Sequence, residues 1–207
     1  MSGHAALATR WILWIDGVGA FLMLLSEEVL VGRMNSTTNP PFDDADISWM
    51  GNLSRRHLTL RRTGDDYVVQ PLARTSLQGR VITEPTWLPS PCELLLNDSV
   101  RLKFELCSPL SASARIEVLS NHRGRWPVQG IILMADTCLL GAGPENHIRC
   151  PSWPSQLVLV RRDGGLAIKS RETLTINNSP RSGWVSLSHD QTVSGEGFRM
   201  RLEELKP

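Results

Sequence analysis

Leu53-Ser54-Arg55-Arg56-His57-Leu58-Thr59-Leu60 changes character at its midpoint. A hydroxyl and two guanidiniums come first, a histidine follows, and the chain then alternates apolar, polar, apolar. That alternation is the start of a half-buried strand. The polar half is a loop entering it. Hydroxyl and guanidinium together are the donor set that phosphate oxygens accept from, because the bonds are charge-assisted and an arginine can make two at once. Arg33, preceded by Gly32, stands twenty-one residues upstream of Ser54 and adds a further guanidinium at the end of another apolar run.

Outward from this loop the chain reads as short strands between turns. Trp11–Ile15 and Phe21–Leu25 flank Asp16-Gly17-Val18-Gly19 as a hairpin, and Glu28–Val31 leads into Gly32-Arg33. The stretch from Met34 to Asp46 is polar and proline-rich and reads as a long loop. Ile47 to Asn52 leads into the Ser54 loop, and Thr63-Gly64-Asp65-Asp66 turns the chain back into Tyr67–Gln70. Pro71 to Gly79 reads as a loop bearing Arg74, Thr75 and Ser76. Arg80–Ile82, Cys92–Leu96 and the strictly alternating Val100–Leu106 complete a first set of strands. Thirteen prolines are scattered through the chain, helical signals are few, and the pattern is that of an all-β sandwich.

Composition narrows the function classes. Hydrophobic residues at 41% and charged residues at 21% belong to a folded globular chain. A formal net charge of +1 gives no general attraction to nucleic acid or acidic membrane. Residues 1–110 hold 10 Lys+Arg against 12 Asp+Glu, a net of −2, and residues 111–207 hold 12 against 9, a net of +3. An anion site in the first half must therefore be built locally from a few placed arginines. The run Trp11 to Leu25 is broken by Asp16, Gly17 and Gly19 and is shorter than the about 20 apolar residues of a membrane helix. Cys92, Cys107, Cys138 and Cys150 lack paired C-x-x-C spacing, which fits free thiols in a cytoplasmic protein. Cys138, His147 and Cys150 are three potential ligands without a fourth, a poor zinc site, so no metal is expected. No cofactor motif and no credible catalytic set occurs, since Ser188-His189-Asp190 is contiguous in sequence and reads as a turn.

After the small, Pro/Ser-rich stretch 108–113 the pattern starts again. Val29-Leu30-Val31-Gly32 matches Cys138-Leu139-Leu140-Gly141, Leu58–Gly64 matches Val158–Gly164, and Phe104-Glu105-Leu106 resembles Met200-Arg201-Leu202. Two copies of one β unit are expected, 1–110 and 111–207. The second is divergent where the first has its polar residues: Arg33 becomes Ala142, and Ser54-Arg55-Arg56-His57 becomes Pro154-Ser155-Gln156-Leu157.

Gly32-Arg33 at a strand end, Ser54-Arg55-Arg56-His57, and the later Thr75-Ser76 with Gln78-Gly79 entering a strand together resemble the forkhead-associated (FHA) family of phosphothreonine-peptide binders. The resemblance covers about residues 11–106, with a weaker echo over 114–205. It implies two β-sandwich domains of the FHA/SMAD-like type, the second degenerate. It also implies site roles. Arg33 contacts the phosphopeptide, Ser54 donates its hydroxyl to the phosphate, Arg55 reaches a phosphate oxygen, and Gly32 and His57 support the loop. The family's later loop carries Asn-Gly with a nearby hydroxyl, whereas this chain has Ala73-Arg74-Thr75-Ser76. Arg74 is the candidate replacement for the asparagine, and Thr75 or Ser76 for the hydroxyl.

The implied function is a bacterial signalling adaptor whose partner is a phosphothreonine-containing protein, a Ser/Thr kinase or its substrate. It would be neither an enzyme nor a nucleic-acid or membrane binder. The alternative is a phosphate-independent scaffold with a vestigial pocket, which the missing Asn-Gly and the degenerate second unit favour.

Overall fold

The computed structural model describes residues 10–35, 45–163 and 165–205, with the backbone alone at 170–172. Most of the expected loop over 34–46, and Gly164 of the repeat, lie outside these residues. Within them there are twenty strands and no helix. Ahead of the Ser54 loop come β1 (Arg10–Ile15), β2 (Gly19–Leu24), β3 (Glu28–Arg33) and β4 (Ile47–Trp49). After it come β5 (Leu58–Thr63), β6 (Asp66–Pro71), β7 (Thr75–Leu77), β8 (Arg80–Ile82), β9 (Thr86–Trp87), β10 (Cys92–Leu96) and β11 (Val100–Leu106). The second half supplies β12 (Ala114–Val118), β13 (Gly130–Leu133), β14 (Thr137–Gly141), β15 (Ile148–Arg149) and β16 (Leu157–Arg162). It ends with β17 (Gly165–Ile176), β18 (Ser179–Leu187), β19 (Thr192–Gly195) and β20 (Phe198–Leu205).

The strands form a five-stranded sheet, β4-β3-β5-β6-β9, and a 15-stranded sheet. The alternation read from the sequence decides which side chains fill the space between them. Val29, Val31, Leu58, Leu60, Tyr67 and Val69 point from the small sheet onto Leu94, Leu96, Leu102, Phe104, Ile116 and Leu133 of the large one. This is a sandwich core, and each such buried Leu, Ile or Phe contributes about 1.5–3 kcal/mol. The Tyr67 ring meets Phe104 edge-on at 5.2 Å. Its hydroxyl donates to the carbonyl oxygens of Ala112 (3.0 Å) and Leu133 (3.3 Å), so the polar end of a buried ring is satisfied.

A second core lies on the other side of the β1–β2 hairpin. Ile12, Ala20, Leu22 and Leu24 face the first core, while Trp11, Leu13, Ile15, Phe21 and Met23 face the second. A hairpin buried on both faces has no polar side, which is why Trp11 to Leu25 reads as a nearly continuous apolar run. Here the large sheet doubles over on itself. The first half of β17 pairs β16, its register with β18 shifts between Ser170 and Leu174, and Thr175 and Ile176 pair β19.

Strand pairing crosses the expected 110/111 boundary three times. β1 pairs antiparallel with β20, while β12 pairs antiparallel with β11. Parallel pairing of β2 with β13 joins the two hairpins. The last strand of each half of the chain is thus extended by the first hairpin of the other half. The local order repeats as well: β3 pairs β4 parallel and β5 antiparallel, and β14 pairs β15 parallel and β16 antiparallel. The connection over 108–113 is held in place. The Ser111 and Ser113 hydroxyls both donate to the Thr137 carbonyl, at 2.8 and 2.6 Å, and the Ala135 amide donates to Ser113 Oγ at 2.9 Å.

One expectation about local structure changes. Residues 75–77, read as part of a loop, form β7, which pairs β8 on one side and β10 on the other. A three-residue strand is too short to show a period, so sequence alternation cannot reveal it.

Candidate functional site

Gly32 and Arg33 end β3, and the Ser54–His57 loop crosses directly over them. The Arg33 amide donates to the Ser54 carbonyl at 2.9 Å, and the His57 amide donates to the Val31 carbonyl at 2.8 Å. Glycine is required at 32 by this approach: a Cβ there would run into the Arg55 carbonyl oxygen. Gly-Arg and Ser-Arg-x-His therefore form one element in space. The side chains of Arg33, Ser54, Arg55 and Arg56 are all exposed at this end of the sandwich.

His57 is fully buried beneath them. The Ser54 amide donates to its Nδ1 at 3.3 Å, and its Nε2 lies 3.0 Å from the Arg74 carbonyl oxygen. Only the neutral ring with its proton on Nε2 satisfies both partners, accepting on one nitrogen and donating from the other. Burial lowers its pKa below the ordinary histidine value, and the bond to the Arg74 carbonyl opposes that shift in part. The His57 carbonyl also accepts from the Leu72 and Ala73 amides, both at 2.9 Å. This one residue binds three loops together: the end of β3, the β4–β5 loop and the β6–β7 loop.

The β6–β7 loop presents its residues unevenly. Arg74 is exposed, and its Nε donates to Asp98 Oδ2 at 2.9 Å; the two side chains are 58% and 59% exposed. Thr75 and Ser76 are buried in β7, and the Thr75 hydroxyl donates to the Ala73 carbonyl at 3.0 Å. The exposed donors at this end are thus Arg33, Ser54, Arg55 and Arg56, joined by an Arg74 that is ion-paired. Such an exposed pair contributes only about 0–1 kcal/mol, so an incoming anion can compete for the guanidinium.

Two further segments, which sequence reasoning did not place here, border the site. Asn97 and Asp98 turn between β10 and β11 with φ of 48° and 53°, a conformation that asparagine and aspartate tolerate. Asn97 Nδ2 donates to the Asn52 carbonyl at 2.8 Å, and the Asn97 amide donates to the Arg74 carbonyl at 2.9 Å. Asn-Asp is a common turn pair, but nothing local in the sequence shows its contact with Arg74. The second segment, His122-Arg123-Gly124-Arg125, comes from the β12–β13 connection, and Trp49 and Gly124 form an antiparallel bridge. No local motif marks it, because its position depends on which hairpin pairs with β11.

In the second half, Pro154, Ser155 and Gln156 stand where the sequence match places Ser54, Arg55 and Arg56, and all three are exposed. Gln156 Nε2 donates to Asn146 Oδ1 at 2.9 Å. This end offers no guanidinium at those positions.

No protein-family model matches the chain, and no curated protein matches it either. Among solved structures, one described as "Rv0020c_FHA Structure" aligns with 46% of this chain and 92% of its own, at 21% identity and a TM-score of 0.28. Another, the N-terminal FHA domain from EssC, a component of the bacterial Type VII secretion apparatus, aligns with 96% of this chain and 98% of its own. Its identity is 11% and its TM-score 0.25. The all-β sandwich described above rests on the strand pairing itself.

Proposed function

We propose that the chain is a phosphothreonine-dependent docking module, reading the products of Ser/Thr kinases through the end of the first sandwich. The observation that carries this reading is the convergence of exposed Arg33, Ser54 and Arg55 on a loop held from below by His57. A phosphothreonine carries a charge of about −1.5 to −2 and three acceptor oxygens. Two guanidiniums offset that charge, and the Ser54 hydroxyl takes a remaining lone pair. Charged hydrogen bonds of this kind contribute about 1.5–3 kcal/mol each. That suits a reversible signalling contact. Arg74 joins the set when it exchanges Asp98 for the peptide. Thr75 and Ser76, being buried, hold the loop from beneath. The partner is a phosphorylated kinase or kinase substrate in the cytoplasm, and the chain acts by binding rather than catalysis. The division into a reading unit, 1–110, and a degenerate unit, 111–207, belongs to the same proposal.

The test is fluorescence-anisotropy binding to a degenerate phosphothreonine peptide pool, beside the same pool unphosphorylated and a phosphoserine pool. Saturable binding confined to phosphothreonine supports the proposal. Equal behaviour of all three pools with folded protein overturns it in favour of a phosphate-independent scaffold. The Arg74–Asp98 ion pair is the observation on that side, since it already neutralises one cation of the site.

A further inference from the structure

The β12–β13 connection is pinned against the phosphate-binding loop at several points. The Met50 amide donates to the Arg123 carbonyl at 2.9 Å, and the Arg125 amide donates to the Ser48 carbonyl at 3.1 Å. Gly124 lies so close to Trp49 that a Cβ would sit 3.2 Å from the indole Cδ1. His122 fixes the start of the segment. Its Nε2 is 3.1 Å from Ser99 Oγ and its Nδ1 2.9 Å from Ser120 Oγ. The backbone that carries Arg123 is therefore positioned by bonds on both sides.

The two arginines of the segment differ. The Arg125 guanidinium lies over the Trp126 ring, 5.1 Å from its centroid. The Arg123 side chain is exposed, and no hydrogen bond or ion pair holds it among the described residues. It adds positive charge two strands from Arg33, because Arg33 is in register with Trp49 and Trp49 bridges Gly124, in a half of the chain whose own net charge is −2. This charge comes from the other, basic half, and the exchanged hairpins bring it here.

We infer that Arg123 is a specificity residue of the same site, taking an acidic side chain of the bound peptide a few positions away from the phosphothreonine. The inference rests on the phosphothreonine reading above. Reach supports it. Met50, which bonds to Arg123, is four residues from Ser54, so their Cα atoms are at most about 14 Å apart. The Leu53 amide bonds back to the Gly51 carbonyl at 2.9 Å, which shortens that span. An extended peptide rises about 3.3 Å per residue, so residues two to four positions from the phosphothreonine lie about 7–13 Å from it. Flanking residues of the peptide therefore fall within reach of the Arg123 segment. A guanidinium there selects carboxylate over neutral or basic side chains.

The experiment uses the full chain and three phosphothreonine peptides, with aspartate, alanine or lysine at the positions two to four residues either side. Wild-type protein is expected to bind the aspartate peptides about 2–5-fold more tightly than the alanine peptides, the range an exposed ion pair contributes. That preference should fade at high salt. Arg123→Ala should bring aspartate and alanine peptides to the same affinity. Arg123→Glu should invert the order in favour of lysine. Thermal melts of both variants, which change an exposed side chain, provide the folding control. An acidic preference that survives Arg123→Ala, or no preference in the wild type that binds phosphothreonine, overturns this inference and leaves the docking function standing. Absence of phosphothreonine binding by the wild type overturns both.

Discussion

His57 Nε2 lies 3.0 Å from the Arg74 carbonyl oxygen, joining residues seventeen apart in sequence beneath the exposed arginines. The other ring nitrogen accepts from the Ser54 amide, so this imidazole sets the spacing of two loops. Replacement by alanine leaves a cavity and frees a buried donor and acceptor. His57→Ala should cost about 2–3 kcal/mol, read as a lower urea midpoint. Phosphopeptide affinity should fall with it, even though His57 is fully buried.

Ser54 and Arg55 are exposed, so their removal should separate binding from folding. Ser54→Ala and Arg55→Ala should each weaken phosphothreonine-peptide binding by tenfold or more, equivalent to about 1.4 kcal/mol. Thermal unfolding should shift by no more than an exposed substitution normally produces. Unchanged affinity in the double variant, measured by calorimetry, would place the anion site elsewhere.

Asp98 holds Arg74 at 2.9 Å. Asp98→Asn keeps a residue suited to its φ of 53° and removes the competing charge. Phosphopeptide affinity should rise about 2–5-fold, in line with an exposed pair that contributes under about 1 kcal/mol. Repeating the titration at high salt should shrink the gain.

Gly32 leaves no space for a methyl group beneath Arg55. Gly32→Ala should displace the Ser54 loop and cost about 1–3 kcal/mol through overpacking. Circular-dichroism melting tests the stability part. A phosphopeptide titration tests whether the arginine after this glycine has lost its alignment with Ser54.

Acid should destabilise the protein through its buried histidines. Burial lowers the pKa of His57, and it lowers that of His147 from 6.5 to about 4, with the nearby Arg115 charge adding to the effect. A group whose folded pKa is depressed binds more protons when unfolded. Its stabilisation is complete above the unfolded value of 6.5 and is lost as pH falls toward the folded one. For His147 the full loss is about 3 kcal/mol. Urea midpoints should be level above about pH 7 and fall steadily below about pH 6. Folding is the readout here, because the phosphate itself takes up a proton near pH 6.

Alternation in Val100–Leu106 and Leu58–Thr63 made the strands legible, since each has one buried and one wetter face. The donor set at 33 and 54–55 was legible too, because hydroxyl and guanidinium are the groups an anion requires. The state of Thr75 and Ser76 was not: whether a hydroxyl points to solvent or lies under a strand depends on the β7–β10 pairing. The Arg74–Asp98 pair was equally hidden, since it joins two turns twenty-four residues apart.

By itself the sequence determined the β character of the chain and the local chemistry of the Gly32-Arg33 and Ser54–His57 loops. These are short-range properties, fixed by side-chain periodicity and by the residues each turn needs. Only the tertiary structure decided that β1 lies beside β20 and β12 beside β11. Strands buried on both faces carry no polar side to indicate a partner, so either hairpin satisfies either edge by pattern alone. That choice of partners carries Arg123 out of the second half of the chain to the rim of the first half's loops.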